Sequence, residues 1–169
     1  MSAAIPGRAF VGIGSNLDGP VEQVRRAIAA LGRLPQTRCV RASSLYRTPP
    51  WGRTDQPSFI NAVAELETAL SPRALLDGLI GIEAAAGRVR ALDRWGPRVL
   101  DLDLLLYADR CIQEVDLQVP HPHLHERAFV LLPLAEIAAH TSVPGRGRIG
   151  DLLAGIDTAG LERLVDSAA

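Results

Sequence analysis

The chain has 169 residues, of which 47% are hydrophobic and 22% charged, a composition that favours one globular domain with a full apolar core. Its formal net charge of −1 gives no overall attraction to nucleic acid or an anionic membrane, and no apolar run approaches the roughly 18 residues of a membrane span. All 18 basic residues are arginine, which excludes chemistry that needs a lysine, such as a P-loop lysine or a Schiff base.

The cysteines and the N-terminus together predict a reduced, cytoplasmic protein. Cys39 and Cys111 form neither a metal-binding nor a redox motif. No basic segment followed by an apolar run opens the chain, so we see no signal peptide. Since lysine is absent, any phosphate must be bound by arginine, histidine, backbone amides or a metal ion.

The N-terminal part of the chain predicts a strand followed by a helix. Residues 10–14 are a short apolar run, which is typical of a buried strand. Gly12 and Gly14 resemble part of a dinucleotide-binding fingerprint, but the third glycine is missing, so we discount that interpretation. Pro20 then opens a helix whose apolar side chains repeat at helical spacing until Gly32 ends it.

Two further strands and a loop follow. Residues 37–47 are β-leaning but alternate poorly, whereas residues 48–57 contain a proline pair and predict a loop, either a ligand lid or a plain turn. Residues 59–68 alternate well, with Phe59 and Asn61 on one face. Asn61 either reads the polar edge of a flat heterocycle that stacks on the aromatic ring, or satisfies the backbone of a neighbouring loop.

A helix and an arginine-rich arm come next. Ser71 predicts a helix N-cap, and the helix extends to a C-cap at Gly87. Four arginines lie in residues 88–98, an arm that Gly96 and Pro97 prevent from continuing as a helix.

Asp101 and Asp103 are the strongest candidates for chemistry. Residues at i and i+2 of a strand point to the same face, about 6–7 Å apart, and two like charges held side by side repel, so a cation should lie between them. A divalent metal bound to a polyphosphate, with the arginines over the phosphates, satisfies both clusters. The alternative is a surface ion-pair network. The side chains that alternate with the aspartates are expected to face the core: Leu100, Leu102, Leu104 and Leu106.

The C-terminal part predicts helices rather than a metal site. Residues 119–125 hold three histidines and two prolines, but no fourth ligand stands at zinc-site spacing, so one histidine on a phosphate is more economical. Residues 131–139 predict a short helix, and residues 140–169 predict a turn and one or two small helices without chemistry. The element order βα-ββ-αβ with a C-terminal helical extension predicts the α+β class, a ferredoxin-like α/β sandwich with a mostly antiparallel sheet, as a single domain over residues 1–169.

Several of these segments resemble the 6-hydroxymethyl-7,8-dihydropterin pyrophosphokinase family. The most specific is residues 94–105, which read Arg-Trp-Gly-Pro-Arg-Val-Leu-Asp-Leu-Asp-Leu-Leu. Shorter matching segments fall in order along the chain, at residues 12–17, 44–50, 59–62, 119–122, 127–129 and 133–134. The resemblance covers roughly residues 9–139 and leaves the rest as an extension.

The resemblance implies a reaction and its catalytic groups. ATP gives its β,γ-diphosphate to the hydroxymethyl group of the reduced pterin and AMP leaves, in folate biosynthesis. Asp101 and Asp103 would bind two magnesium ions that bridge the triphosphate, while Arg88 and Arg98 would neutralise charge that develops during transfer. The implied partners are ATP and 6-hydroxymethyl-7,8-dihydropterin, without nucleic acid or membrane, and we expect the chain to act as a monomer.

The resemblance also assigns two substrate pockets. The residues implied for ATP are Arg90, Arg94, Trp95, Arg98, Leu104, Leu117, Gln118, His121 and Arg127. Those implied for the pterin are Thr48, Pro50, Trp51, Phe59, Asn61, Trp95 and Phe129. The two phenylalanines would sandwich the pterin ring, and Trp95 would close over the site as the arm folds in.

Three residues depart from the family pattern. Phe59 stands where a tyrosine is often found, Ile80 replaces a polar helix residue, and Ala91 replaces a basic residue, so ATP affinity and rate are the properties affected.

Two other functions share the main features of this sequence. A non-catalytic ligand-binding module would bind pterin without a nucleotide. A metal-dependent phosphohydrolase would consume ATP without pterin.

Overall fold

The computed structural model describes residues 6–49, 55–87 and 99–165. Its strands are β1 Gly7–Ser15, β2 Thr37–Ala42, β3 Tyr46–Thr48, β4 Phe59–Thr68, β5 Asp101–Tyr107, β6 Ile112–Glu114, β7 Leu117–Val119, β8 Ser142–Val143, β9 Gly147–Arg148 and β10 Glu162–Arg163. Its helices are α1 Pro20–Leu31, α2 Pro72–Ala85, α3 Ala128–Ala138 and α4 Ile149–Ala154. A 3-10 turn, Leu124–Glu126, precedes α3.

The main sheet has the order β10-β3-β4-β1-β5, and each of its described pairings is antiparallel. β2 pairs with the other half of β4, beside the part that β3 covers. β10 and β5 are therefore opposite edges of the sheet. Two hairpins, β6–β7 and β8–β9, lie outside it.

Helices cover both faces of this sheet. α1 and α2 pack on one face through Leu31, Leu75 and Leu79, which are fully buried in one apolar cluster with residues of the sheet, such as Ile60 and Leu102. We call this cluster the α1/α2 core. The helices α3 and α4 pack on the opposite face, in a second apolar cluster that includes residues of β1, β4 and β5. We call it the α3 cluster. The predicted α+β sandwich with an antiparallel sheet is confirmed. Within the described ranges, no helix is long and apolar enough to cross a membrane.

The strongest sequence patterns gave accurate element boundaries. β4 spans the predicted residues 59–68, and its even-numbered apolar residues enter the α1/α2 core while Val63 enters the other cluster. α1 begins at Pro20 and is followed by Gly32 as its C-cap. Ser71 caps α2, because its hydroxyl accepts a hydrogen bond from the Ala74 N–H at 3.1 Å.

The predicted strand over residues 37–47 is wrong as a single element, since it is divided into β2 and β3. Ser43 lies at the break. Its hydroxyl accepts the Val63 N–H at 2.9 Å and its own N–H donates to the Val63 carbonyl at 2.8 Å. A side-chain oxygen thus replaces the backbone acceptor of the Val63 N–H. This interrupts the regular backbone hydrogen bonding to β4, and a separate strand, β3, begins at Tyr46.

The prediction that Leu106 faces the core is confirmed, since it is 1% exposed, but it does not share a face with the other even-numbered leucines of β5. β1 and β5 change register between Phe10 and Val11, so that Phe10 lies opposite Leu106 but Val11 lies opposite Leu104. Leu105 is the extra residue of this bulge. Both Leu105 and Leu106 therefore lie in the α3 cluster, whereas Leu104 lies in the α1/α2 core.

The C-terminal part contains more strand than the sequence predicts. α3 begins at Ala128, before the predicted residue 131, and α4 supplies the expected small helix. β8 and β9 form a hairpin between them. β10 joins the main sheet beside β3, a long-range pairing that the sequence analysis did not predict.

Glu136 of α3 holds the start of β3 by hydrogen bonds. Its carboxylate accepts the Ser44 N–H and hydroxyl at 3.0 Å and the Tyr46 hydroxyl at 2.7 Å. Burial alone would raise the pKa of Glu136, but these hydrogen bonds outweigh burial and lower it. Burial, followed by the bond to Glu136, raises the pKa of Tyr46 to about 12.

We expect Glu136→Gln to lower the free energy of unfolding at neutral pH and to lose this effect in acid. A carboxyl group whose folded-state pKa is lowered adds stability above its unfolded value, here 4.5, and this contribution disappears as the pH falls through the folded-state pKa. Urea unfolding of both proteins at several pH values from about 7 to 3.5 measures it. A stability difference that stays constant across this range would contradict the assignment.

Candidate active site

The face of the sheet that α3 covers brings the sequence-predicted polar residues together. On antiparallel neighbours, residues directly opposite each other share a face. Gly14 of β1 lies opposite Asn61 on one side and opposite Asp101 on the other. Gly12 lies in the same way between Val63 and Asp103. The two predicted sites, on β4 and β5, are thus separated by one strand.

The two glycines leave one part of the middle strand, from Gly12 to Gly14, without side chains on this face. A Cβ atom at Gly14 would lie 2.7 Å from the Asn61 Oδ1, closer than such atoms approach, and one at Gly12 would touch Leu105 at 3.5 Å. We call this bare part of β1, which lies between Asn61 and Asp101, the channel. In the sequence these glycines resemble only part of a dinucleotide fingerprint. The signal for their role here is their spacing of two, which places both on one face.

Asn61 and Thr48 form a buried polar pair at one end of the channel. The Asn61 Nδ2 donates to the Thr48 Oγ1 at 2.6 Å, and the two residues are 7% and 2% exposed. Thr48 lies opposite Phe59, which is half-buried on the same face. The bond to Thr48 fixes the amide so that its oxygen lies over Gly14, where it can accept a hydrogen bond from a ligand.

The loop that follows Thr48 is held at its far end. The Asn16 Nδ2 donates to the Gln56 Oε1 and to the Pro57 carbonyl, both at 3.0 Å. Asn16 and Gln56 are buried, so the connection after β1 anchors the last residues of this loop. Asn16 lies in the segment 12–17 that resembles the family, but its partners were not predicted from the sequence.

Asp101 and Asp103 lie half-exposed at the other end of the channel, on the edge strand β5. Within the residues that the structure describes, no three metal-ligating side chains cluster together. Two carboxylates on a half-exposed edge suit Mg²⁺, which usually takes one or two protein carboxylates and completes its shell with substrate phosphates and water. The oxygen donors present here fit magnesium better than zinc, which prefers nitrogen and sulfur.

Glu83 of α2 supports the backbone between the two aspartates. Its Oε2 accepts the Leu102 N–H at 2.8 Å, and Glu83 is only 4% exposed. Because β5 is an edge strand, the Leu102 N–H has no neighbouring strand to pair with on that side in the described part of the chain, and this carboxylate accepts its hydrogen bond instead. Glu83 was not predicted, because the rest of the buried stripe of α2 is apolar. The available signal was its charge within that stripe, one residue after Ile82.

His121 lies beside the carboxylates as a neutral ring. Its Nε2 is 4.0 Å from the Asp103 Oδ1, and its Nδ1 accepts the His123 N–H at 3.1 Å. Burial lowers the pKa of His121 to about 4, assisted by the positive charge of Arg127 and by His123 and opposed by Asp101. With Nδ1 accepting, the proton of the neutral ring is on Nε2, which can donate to an anionic ligand.

A cleft of about 340 Å³ runs along the open edge of β5. It brings together five sequence-predicted residues, namely Asp103, Leu104, Leu117, Gln118 and His121. The other lining residues were not predicted from the sequence; they are Leu76, Leu102, Val115, Asp116 and Pro122. The hairpin β6–β7 forms one wall, and because β5 is an edge strand, residues from both of its faces reach the cleft.

Arg127 and Phe129 lie at the start of α3. The Arg127 guanidinium is 5.6 Å from the centroid of the Phe129 ring, within cation–π range. Phe129 is half-buried against the α3 cluster. The remaining sequence-predicted residues lie outside the described ranges; they are Pro50, Trp51, Arg88, Arg90, Arg94, Trp95 and Arg98, together with Ala91.

Comparison with known proteins gives consistent matches. The model of the 7,8-dihydro-6-hydroxymethylpterin-pyrophosphokinase (HPPK) family matches residues 10–139. Proteins named 2-amino-4-hydroxy-6-hydroxymethyldihydropteridine pyrophosphokinase are similar over most of the chain. The one from Pseudomonas aeruginosa is 49% identical over 93% of this chain and 96% of its own length. Those from Haemophilus influenzae and Methylorubrum extorquens are 48% and 45% identical, over 86% and 93% of this chain and 90% and 98% of their own lengths.

Solved structures show the same fold. A Plasmodium falciparum HPPK-DHPS variant crystallised with pteroate has a TM-score of 0.72 at 14% identity, over 96% of this chain and 47% of that chain. HPPK-DHPS in complex with substrates has a TM-score of 0.69 at 13% identity, over 88% of this chain and 43% of that chain. This chain thus spans less than half of each solved chain. From the family match and the close relatives, the chain belongs to the 7,8-dihydro-6-hydroxymethylpterin-pyrophosphokinase family.

Proposed function

We propose that this chain transfers the β,γ-diphosphate of ATP to the hydroxymethyl group of 6-hydroxymethyl-7,8-dihydropterin, releasing AMP, across the channel between Asn61 and Asp101. This is the reaction of its family, a step of folate biosynthesis. The observation that carries the assignment to these residues is the register of β1, in which Gly14 lies directly between the amide and the carboxylate. Acceptor and donor molecules can then meet over the part of β1 where Gly12 and Gly14 carry no side chains.

The pterin is proposed to bind at the β4 end of the channel. A flat ring with a polar edge matches a half-buried aromatic side chain next to a fixed amide, and Phe59 and Asn61 provide these. Thr48 lies 2.6 Å from Asn61, so its hydroxyl can contact the same edge. Phe129 is proposed as the second face of the ring, and the backbone at Pro50 and Trp51 as further contacts, by family resemblance.

The nucleotide is proposed to bind along the edge of β5. Its adenine would occupy the cleft beside Leu104, Leu117 and Gln118, and its phosphates would extend toward Asp103 and His121, which line the same cleft. The neutral His121 donates a hydrogen bond to phosphate without adding charge, while Arg127 supplies positive charge nearby. In this proposal the phosphate tail would lie at the acidic end of the channel, beside Asp103.

Asp101 and Asp103 would hold magnesium, two ions by family resemblance. When bound, magnesium would supply positive charge that offsets the negative charge of the phosphates and polarises the pterin hydroxyl. The two carboxylates are oriented by β5, whose backbone Glu83 fixes between them. By family resemblance, Arg88 and Arg98 would stabilise charge on the transferred group, and Arg90, Arg94 and Trp95 would hold the nucleotide and exclude water.

Product analysis tests the proposed function. With ATP, magnesium and 6-hydroxymethyl-7,8-dihydropterin, we expect AMP and the pterin diphosphate in equal amounts. Without the pterin we expect ATP to persist. Release of ADP, or equal ATP consumption without the pterin, would contradict the proposal and favour a kinase or a phosphohydrolase. The monomeric state and the cytoplasmic location stay predictions from the sequence.

The nucleotide cleft yields a further prediction about Arg73 of α2. This side chain donates to the Asp116 Oδ1 at 2.8 Å and also pairs with Glu114, so it ties the β6–β7 hairpin to α2. The hydrogen bond from Arg73 lowers the pKa of Asp116. We expect Arg73→Ala to raise the Kd of the nucleotide about two- to fivefold, because the cleft wall loses a surface ion-pair anchor.

Calorimetric titration with a non-hydrolysable ATP analogue measures this effect. Arg25→Ala is the matched control, because it removes an exposed arginine that pairs with Glu22 within α1, away from the cleft. If both variants bound the analogue like the unmodified protein, the hairpin would not depend on Arg73 for its position.

A further inference from the structure

The C-terminal segment, residues 158–165, is built into the sheet rather than attached to its surface. It lies beyond the part of the chain that matches the family model, which ends at residue 139. Its strand β10 pairs antiparallel with β3, so that Glu162 lies opposite Arg47 and Arg163 lies opposite Tyr46. The strand it covers is the one that ends at Thr48.

Four kinds of contact join the segment to β3 and the residues before it. The Leu164 N–H donates to the Leu45 carbonyl at 2.8 Å, and Leu164 packs against the α1/α2 core. The Arg163 Nε donates to the Ser44 Oγ at 2.9 Å. Arg47 and Glu162 form an ion pair at 3.2 Å across the two strands. The short β3 is therefore held on one side by β4 and on the other by this segment.

α3 also contacts β3 and the residue Ser44 before it. Glu136 accepts hydrogen bonds from Ser44 and Tyr46, and its Oε2 lies 3.8 Å from the Arg163 Nη2. Ser44 thus contacts the carboxylate of α3 and the guanidinium of β10 at once. The position of β3 depends on both, and with it the position of Thr48, the partner of Asn61.

The turn before β10 also touches the loop after Thr48. Gly160 has a φ of +87°, a conformation that favours glycine. A Cβ atom there would lie 3.2 Å from the Pro49 Cγ, tighter than an ordinary contact. Pro49 follows Thr48 directly and begins the loop whose far end Gln56 anchors. The C-terminal segment therefore lies against both β3, which ends at Thr48, and Pro49, the first residue of that loop.

We propose that residues 158–165 are a positioning element for the pterin half of the site. The segment sets the position of Thr48 and Pro49, and it acts on affinity for the reduced pterin rather than for the nucleotide. The sheet order supports this selectivity, because β10 is the edge next to β3 and β5 is the opposite edge. This inference rests on the proposed function, since it takes the ligand at Asn61 to be a pterin.

Two glycine substitutions test the proposal with matched backbone strain. Gly160→Ala places a methyl group against Pro49, whereas Gly145→Ala, at φ +76° in the turn between β8 and β9, meets nothing within 4 Å. Both variants carry the cost of a left-handed alanine, so the contact with Pro49 is what distinguishes them. We measure the Kd of 6-hydroxymethyl-7,8-dihydropterin in the presence of magnesium and a non-hydrolysable ATP analogue, and the Kd of the analogue alone.

We expect Gly160→Ala to raise the pterin Kd about five- to tenfold and Gly145→Ala to change it less than about twofold. The Kd of the ATP analogue should stay within about twofold of the unmodified protein in both. Arg163→Ala gives a second test that spares the backbone, because this side chain is 64% exposed; it should raise the pterin Kd about two- to fivefold.

The proposal is overturned if Gly160→Ala and Arg163→Ala both leave the pterin Kd unchanged, or if they weaken nucleotide binding as much as pterin binding. Failure of the proposed function gives a different result. In that case the unmodified protein itself would not bind the pterin, whatever the variants do.

Discussion

Replacing Asp101 by alanine should reduce the rate of AMP formation by about a thousandfold or more. Loss of metal-based charge stabilisation costs several kcal/mol of transition-state stabilisation, and about 1.4 kcal/mol corresponds to a factor of ten in rate. Asp101 lies half-exposed at the end of the channel, so its removal leaves no large cavity in the core. The measurement is kcat/KM at saturating magnesium, together with a thermal unfolding curve.

Asp109→Ala is the matched control for this substitution. Asp109 is exposed in the turn that follows β5, two residues beyond Tyr107, and belongs to neither substrate pocket. We expect it to retain the unmodified protein's activity. If Asp101→Ala kept more than about a tenth of the activity, the aspartate pair would not be the centre of the transfer chemistry.

Gly14→Ala should produce the second large effect, a rise of about 10- to 100-fold in the pterin Kd. Its Cβ would meet the Asn61 Oδ1 at 2.7 Å, and the bond to Thr48 prevents the amide from turning away without breaking a buried pair. Gly14 does not have a positive φ, so alanine fits its backbone and the strand should still form. Fluorescence or calorimetric titration with the dihydropterin measures the change.

A second glycine provides the control for Gly14. Gly81 lies exposed in α2, and a Cβ atom added there would meet nothing within 4 Å, so Gly81→Ala should leave pterin binding unchanged and favour the helix slightly. If Gly14→Ala bound the pterin as tightly as Gly81→Ala does, the channel across β1 would not be the path between the two substrates.

Sequence patterns predicted the elements whose periodicity is regular. The alternation over residues 59–68 gave β4 with its boundaries and placed Phe59 and Asn61 on one face. Pro20 and Ser71 gave the starts of α1 and α2, because proline at the first helical position and a serine cap are local signals. The spacing of Asp101 and Asp103 gave a shared face for the same reason.

Features that depend on distant parts of the chain could not be predicted. The bulge at Leu105 arises from pairing with β1, and the break at Ser43 arises from its two bonds to Val63 of β4. Two-residue strands such as β10 carry no periodicity, so its place beside β3 became visible only in the structure. The role of Gly12 and Gly14 likewise requires knowing which strands flank β1.

A crystal structure of the complex with magnesium, dihydropterin and an α,β-methylene analogue of ATP tests the central claim most directly, because this analogue blocks the bond that the reaction would break. We predict magnesium on Asp101 and Asp103 in contact with the analogue's phosphates, and the pterin edge on Asn61 across Gly14. Phosphates anchored away from both aspartates, or a pterin bound elsewhere than at Asn61, would contradict it.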